Sequence, residues 1–550
     1  MDQDLRSRID RVIRTIWSAG SSEPTEYIEQ ASYLIYLKLL DEEESDRELQ
    51  ARLNGGKGNQ RALFPGQSKR YRWSQWRFKS GNELLNFVRD DVFPYLSSLV
   101  KEAPQIARYF QDSRLTISDP TILKTAVDEL DQIEFRKLGP DVKGDIFEYL
   151  LQFMATTEAA NFGQFRTPKQ IRNFMVRMVD PDYTDSIYDP SCGTAGFLID
   201  AVDHILARYS ETPSEYPIYG ESWLASNGYE SLEAAKAKVA NLQTYRKGPG
   251  DLLPEWDVLE NAVFGHDVSP RLVRISMMNL VLHGLRGAKV RRANSLSETA
   301  GLSEDERDRR YKVILSNPPF AGQLPRDSIR SDLPTNSKKT ELLFFSLVME
   351  SLAPGGRCAV VLPEGVLFGS TGAHKDLRKK LFDEFEVLAV VSLNNGVFKP
   401  YAGVKTSVLI FNKPAEGQKP KLDKVWFYDV TNDGYDPEKV SGGGRVETAI
   451  DNQIPNLLEL WRKWKQSGFT EVPGVASDVV LDADAPEPRS WWADKSWVVD
   501  NNYNISASNY KPTRRSIVSD LNLDKLMADV ASDYSSVSKG LEALLRDIKK

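Results

Sequence analysis

Residues 316–320, Ser-Asn-Pro-Pro-Phe, set two imino acids between an amide and an aromatic ring, directly after the apolar run Val313-Ile314-Leu315. Neither Pro318 nor Pro319 has an N–H, so the main chain offers only acceptors there and both φ angles are fixed. Asn317 adds a side-chain carbonyl. Two converging acceptors suit an exocyclic amino group, one hydrogen going to the Asn317 amide oxygen and the other to a backbone carbonyl, that of Pro318. The amino nitrogen of adenine is a poor nucleophile because its lone pair is delocalised into the ring. Held this way, it is drawn towards tetrahedral geometry and can attack a methyl sulfonium. That electrophile is strong enough for positioning and electrostatics to carry the rate without a histidine or cysteine nucleophile. Phe320 offers a face on which the base stacks, once the base has left its duplex. In isolation, a turn that merely ends a strand also fits these residues.

A second constellation, Asp-Pro-Ser-Cys-Gly-Thr-Ala-Gly-Phe, occupies 189–197. Gly193 and Gly196 let a backbone approach a ligand where a strand ends and a helix begins, although such residues also serve packing. The three spaced glycines of a dinucleotide fingerprint are missing, so a nicotinamide cofactor is not implied. Asp267 ends the next strand-like run, where an acid can bond a ribose hydroxyl pair. The other reading of Asp267 is an acid serving the dipole of a helix that Ser269 caps and Pro270 starts. Asp189 and Asp267 stand 78 positions apart, against ~20 in a minimal unit. Residues 211–260 are therefore expected to be an insertion.

The elements that must position these groups have two textures. Residues 1–150 read as a helical domain, with apolar residues at three- and four-residue intervals in "IDRVIRTIWSAG" and "EYIEQASYLIYLKLLDEEES". The glycine-rich, basic and aromatic stretch 51–81 breaks that pattern. Two readings stay open for it: a mobile loop touching phosphate, or an ordinary surface loop. From about 180, β-prone runs alternate with helical patterns: "DSIYDP", "NAVFGHD", "YKVILSNPP", "GRCAVVLPE", "FEVLAVVSL" and "KTSVLIFNK". Such interleaving implies an α/β domain over 151–480 with a doubly wound, mostly parallel sheet. The last two runs are joined too closely for a crossover helix, which suggests an antiparallel hairpin at the sheet edge. Residues 481–490, acidic and proline-bearing, read as a linker to a C-terminal amphipathic helix within 481–550. That helix either packs on its own domain or docks on a partner.

Composition narrows the class. A chain of 550 residues with 41% hydrophobic and 27% charged residues is ordinary for a globular protein. The start lacks an apolar signal region and no stretch reaches the ~18 apolar residues of a spanning helix, so a soluble, cytoplasmic protein is expected. Two cysteines and four scattered histidines give no zinc or disulfide framework, and no metal is expected. The net charge of −7 is unlike that of a protein gripping nucleic acid alone. If DNA is the substrate, a partner supplies much of the grip.

Taken in order, "GQFRTPKQI" (163–171), "DPSCGTAGF" (189–197), "SNPPF" (316–320), "LPEGVLFG" (362–369) and "VFKPYAGVKTSVLIFNK" (397–413) resemble the methylation subunit of type I restriction–modification systems, an adenine-N6 DNA methyltransferase. The resemblance covers most of the chain, including the helical N-terminal region. It implies that Gln164, Phe165, Arg166, Thr167, Pro168 and Lys169 close over S-adenosylmethionine. Gly193, Thr194, Ala195 and Gly196 would line its amino-acid end, Asp267 would hold its ribose, and Asp189 would be a further cofactor-binding residue. Asn317, Pro318, Pro319 and Phe320 would carry the chemistry derived above. Ala195 stands where the family usually has glycine, which suggests a slightly tighter pocket. Asp267 is one methylene shorter than the usual glutamate, and Asn294 stands where an aspartate often lies near the cofactor's adenine. The resemblance also implies partners: a DNA specificity subunit, a second methylation subunit, a restriction subunit and duplex DNA. The alternatives are a free-standing adenine DNA methyltransferase, a protein glutamine methyltransferase and an inactive cofactor-binding scaffold. Phe320 in place of tyrosine, the large helical N-terminus and the "PYAGVKT" segment argue against the glutamine enzyme.

Overall fold

The structure, a computed structural model, describes residues 3–18, 24–53, 63–135, 167–209, 245–247, 252–254, 256–399 and 403–514 apart from a few single positions and 449–451, together with 146, 149 and isolated positions between 527 and 537. Its centre is a sheet of ten strands, numbered here β1 (Ile187–Asp189), β2 (Val263–Asp267), β3 (Lys289–Arg292), β4 (Tyr311–Ser316), β5 (Leu352–Pro363), β6 (Glu386–Leu393), β7 (Thr406–Asn412), β8 (Lys424–Val430), β9 (Val475–Ala476) and β10 (Ser490–Asp494). Across the sheet the order is β3-β2-β1-β4-β5-β7-β6-β8-β10-β9. The five strands from β3 to β5 pair in parallel, and β7 runs antiparallel between β5 and β6.

Alternate side chains of these strands enter opposite cores, as the period of two requires. Val313 and Leu315 of β4 pack on one face with helices Lys169–Val179, Gly196–Tyr209 and Ile454–Gln466. Ile314 packs on the other face with Thr340–Ser351 and Gly372–Glu384. Both faces are covered, which is why the central strands read as continuous apolar runs.

Two expectations are corrected. The β6–β7 pair is antiparallel, but it lies inside the sheet, because β8, β10 and β9 continue beyond β6. Nor does the sheet domain end at 480. The stretch read as a linker is a loop between β9 and β10, and Trp491 and Ala493 of β10 are buried in the core. An exposed loop and a linker share the same acidic, proline-bearing composition, so composition alone does not separate them.

The N-terminal helices gather a core running from Leu5 to Tyr149, with Tyr33, Tyr36, Tyr109 and Phe110 packed ring to ring. Of the described part of the stretch 51–81, Leu63, Phe64, Trp73 and Trp76 belong to this core, while residues 65–67, Lys69, Arg70 and Phe78 are exposed. Trp76 is buried, and Arg72 pairs with Asp41 at 2.5 Å with both groups out of water. Helix Pro270–Leu282 joins the two domains: Val273, Met277, Met278 and Val281 pack with the N-terminal core, and Arg274 bonds Glu29 at 2.7 Å. Of the C-terminal stripe, Met527, Val530, Tyr534 and Val537 are among the described residues, and all four are exposed. Most of the expected insertion 211–260 lies outside them. Among the described residues no helix is long and apolar enough to cross a membrane.

Candidate active site

β1 is followed in sequence by β2 on one side and β4 lies on the other, so the chain reverses its winding between β1 and β4. Ligands of open α/β sheets bind at the carboxyl ends of strands at such a switch point. Asp189, Asp267 and Asn317 stand at those ends, on β1, β2 and just after β4.

The turn 190–196 after β1 is held from three sides. The Gly193 amide donates to Asp267 Oδ2 at 3.1 Å, the Ser191 amide to Asp189 Oδ1 at 3.0 Å, and Asn279 Nδ2 to the Thr194 carbonyl at 2.9 Å. Gly193 has φ +52, and a Cβ there would meet nothing within 4 Å, so space lies open over the turn. At Gly196 a Cβ would come within 2.9 Å of Arg172 Nε, which fixes glycine for a packing reason. Ala195 is left-handed at φ 65, and its methyl is fully buried with the core beneath the turn. Its departure from glycine therefore bears on the backbone, where an L-residue pays roughly 1 kcal/mol or more. Ala195→Gly is expected to raise stability by up to ~1 kcal/mol, less the entropy that glycine loses on folding. Chemical denaturation monitored by tryptophan fluorescence reads this, and a loss of stability would contradict it.

Burial dominates the electrostatics. It pushes the Asp189 carboxyl up to about 7, against the pull of its bonds from Ser191 and Ser316. It raises Asp267 too, opposed by the amides of Ser269 and Gly193. Two carboxylates that ionise reluctantly, Asp189 buried beneath the open turn and Asp267 beside it, are suited to a cationic ligand, whose charge relieves both. The donor set thus fits S-adenosylmethionine: a sulfonium and an ammonium for the acids, a ribose for Asp267, and room above Gly193.

Ser316 links this turn to the proline motif. Its hydroxyl donates to Asp189 Oδ1 at 3.0 Å and lies 3.0 Å from the Ser191 hydroxyl. In the next residue, Asn317 Nδ2 donates to Thr167 Oγ1 at 2.9 Å. Asn317 Oδ1 is buried and has no partner. An unpaired buried acceptor costs about 1–3 kcal/mol, and here it is the acceptor that an incoming amino group would satisfy. Phe320 lies edge to face with Phe398, with ring centroids 5.6 Å apart.

Thr167 is itself positioned. Its carbonyl accepts from Arg172 Nη1 at 2.8 Å, while Arg172 Nε holds Asp200 Oδ2 at 2.8 Å, both side chains buried. Arg172, Asp200, Ser316, Asn279 and Phe398 were not singled out from sequence. Ser316 and Phe398 had a signal there, as parts of "SNPPF" and "VFKPYAGVKTSVLIFNK". Pro168 and the exposed Lys169 open helix Lys169–Val179, and Gln164, Phe165 and Arg166 lie outside the described residues. Asn294 follows β3, and its Oδ1 accepts from the Leu296 amide at 3.1 Å, which ties that oxygen to its own turn.

Two family profiles match the chain, the HsdM N-terminal domain over 5–130 and N-6 DNA methylase over 138–227 and 254–516. The chain belongs to the N-6 DNA methylase family. The methylase is 31% identical over 425 residues to the EcoEI type I methylase subunit of Escherichia coli, covering 75% of this chain and 74% of that protein. To the EcoKI type I methylase subunit of E. coli K12 it is 26% identical over 443 residues, covering 78% and 72%. In structure it is similar to a chain of a type I restriction–modification system (25% identity, TM-score 0.63, 99% of both chains). It also shares the fold of a type I methyltransferase subunit from Streptococcus thermophilus (16% identity, TM-score 0.62, 92% and 99%). The activity is S-adenosylmethionine-dependent methylation of adenine N6 in DNA, within a type I system. The break in the methylase profile between 227 and 254 falls inside the expected insertion.

Proposed function

We propose that Asn317, with the Pro318 carbonyl, holds the two amino hydrogens of an adenine extruded from the duplex, and that Phe320, backed by Phe398, carries the base. The observation that supports this most is the buried, unpartnered Asn317 Oδ1 beside an amide nitrogen already engaged by Thr167. Thr167 sets the amide's orientation, and Arg172 sets Thr167. S-adenosylmethionine, when bound, supplies the electrophilic methyl group. Asp267 takes its ribose, Asp189 and the 193–196 turn its amino-acid end, and the bond from Ser316 to Asp189 keeps the two half-sites in register. Pro319 fixes the chain direction into Phe320.

The methylase works in the cytoplasm with a specificity subunit that reads the sequence, a second methylase copy and a restriction subunit. Its acidity supports delegated reading of DNA. The four exposed apolar residues of the C-terminal stripe support docking of that segment on the specificity subunit.

The raised Asp189 carboxyl gives a test. Between pH ~4 and ~7 the folded chain keeps a proton that the unfolded chain has released, so this group's contribution to stability falls as pH rises through that window. A bound cation favours the ionised form. Affinity for S-adenosylmethionine is therefore expected to rise as pH increases towards 7, by up to about tenfold per unit, and to level off above it. Calorimetric titrations at pH 6 and 8 would read this, with proton release on binding at the lower pH. A flat affinity across that range removes Asp189 from the cofactor's contacts.

A further inference from the structure

One residue beyond Phe320 the chain enters a surface loop, 321–339, that returns to its starting point. Gln323 and Lys339 form an antiparallel bridge. The Leu324 amide donates to the Lys338 carbonyl at 3.0 Å, and the Thr340 amide to the Gly322 carbonyl at 3.1 Å. Leu333 anchors the loop in a small core with Leu296, Leu343 and Leu347. The loop is thus built, and its base is fixed three residues from the ring that ends the catalytic motif. Lys338 and Lys339 stand there exposed, and no carboxylate pairs with either.

A second element reaches the same spot. β5, next to β4 and parallel to it, leaves the catalytic end of the sheet through helix Glu364–Phe368 and the turn Gly369-Ser370-Thr371. Helix Gly372–Glu384 then runs back, so its first turn lies at that end. His374 in this turn is bonded by Thr371 at 2.5 Å, and after burial the charges that most oppose its protonation are those of Lys339 and Arg378. Helix Thr340–Ser351, which begins at the loop base, packs in one core with helix Gly372–Glu384 through Leu342, Phe345, Leu377 and Leu381, so the loop base and the helix start are neighbours. Arg378 is fully buried with no carboxylate partner, its guanidinium donating to the Val366 and Gly369 carbonyls at 2.9 and 2.8 Å. Lys375 lies beside His374 and is also unpaired. The acids on these turns, Asp376 and Glu341, pair with none of these cations.

We propose that Lys338, Lys339 and Lys375 seat a backbone phosphodiester of the DNA strand from which the adenine is extruded. In a chain of net charge −7, unpaired cations stand on two neighbouring preformed elements near the catalytic motif. A base rotated out of the duplex displaces the phosphates on either side of it, and a fixed cationic seat holds the distorted backbone. The seat reads no sequence; it adds grip at the point of chemistry.

The test uses the methylase assembled with its specificity subunit and a duplex containing the recognition site. For K338Q/K339Q, DNA affinity near 0.1 M salt is expected to fall about tenfold, and the slope of log affinity against log salt to become shallower by roughly 2. S-adenosylmethionine affinity stays within twofold, and K338R/K339R restores the slope. Each single Gln variant shifts the slope by about 1. The control K419Q/K421Q, in the loop between β7 and β8 at the opposite end of the sheet, changes nothing. An unchanged salt slope overturns the proposal. So does weaker binding of the specificity subunit at an unchanged slope, which makes the lysines a protein contact. The proposal rests on the methylation reading, but failure of that reading shows differently, as absence of transfer by the unsubstituted complex.

Discussion

Asn317→Ala is expected to slow methyl transfer by about 10³-fold or more, ~4 kcal/mol in the barrier, while leaving S-adenosylmethionine affinity within a factor of two. The asymmetry follows from the geometry. Asn317 bonds Thr167 and presents a buried, unpaired oxygen, but it makes no bond to the 190–196 turn. That turn is held by Asp267, Asp189 and Asn279, all of which the substitution leaves in place. Positioned acceptors act on the amino group only as it pyramidalises, so their loss appears in turnover rather than in cofactor binding. Single-turnover transfer and calorimetry on the same preparation separate the two. Retained turnover would remove Asn317 from the chemistry, and a parallel loss of cofactor affinity would make it a structural residue of the turn.

Asp200→Ala is expected to have the largest effect on stability, about 3–5 kcal/mol, because it removes from the interior the carboxylate that the buried Arg172 guanidinium holds. Arg172 is 8% and Asp200 5% exposed, and their bond at 2.8 Å ties helix Lys169–Val179 to helix Gly196–Tyr209. Replacing both partners by apolar residues, as Arg172→Met with Asp200→Leu, is expected to recover most of that stability. It should not recover turnover, since the Thr167 carbonyl loses its donor and Thr167 no longer fixes the Asn317 amide. Denaturation midpoints read the first effect and transfer rates the second. Stability unchanged in Asp200→Ala, or full activity in the double variant, would contradict this chain of contacts.

Much of the fold was legible because strands covered on both faces are continuous apolar runs. Of the strands that escaped, β3 and β10 lacked that mark, whereas β8 carries it, with Val425, Trp426, Phe427 and Tyr428 all buried, and was passed over. β3, Lys-Val-Arg-Arg, is an edge strand with Lys289 and Arg292 exposed and Arg291 paired with Glu306. β10 is five residues long behind an acidic, proline-bearing loop, so the sheet seemed to end before it did. At the site, the motif residues announced their chemistry through type: prolines that cannot donate, glycines where a backbone must bend. Their supports did not. Asn317 and Thr167 are 150 positions apart and meet only because β4 ends beside the start of helix Lys169–Val179. An arginine and an aspartate 28 positions apart look like two solvated charges until the helices that carry them are packed together. At Ala195 the sequence showed an extra methyl and suggested a tighter pocket; the consequence lies in φ, which no composition reveals.

The most direct test of the central claim is to incubate the methylase with methyl-labelled S-adenosylmethionine and duplex DNA, with and without its specificity subunit, and to identify the labelled product. The predicted result is N6-methyladenine in DNA when the specificity subunit is present, with little or none in its absence. Label in protein, label on another base, or no label under either condition would contradict the account.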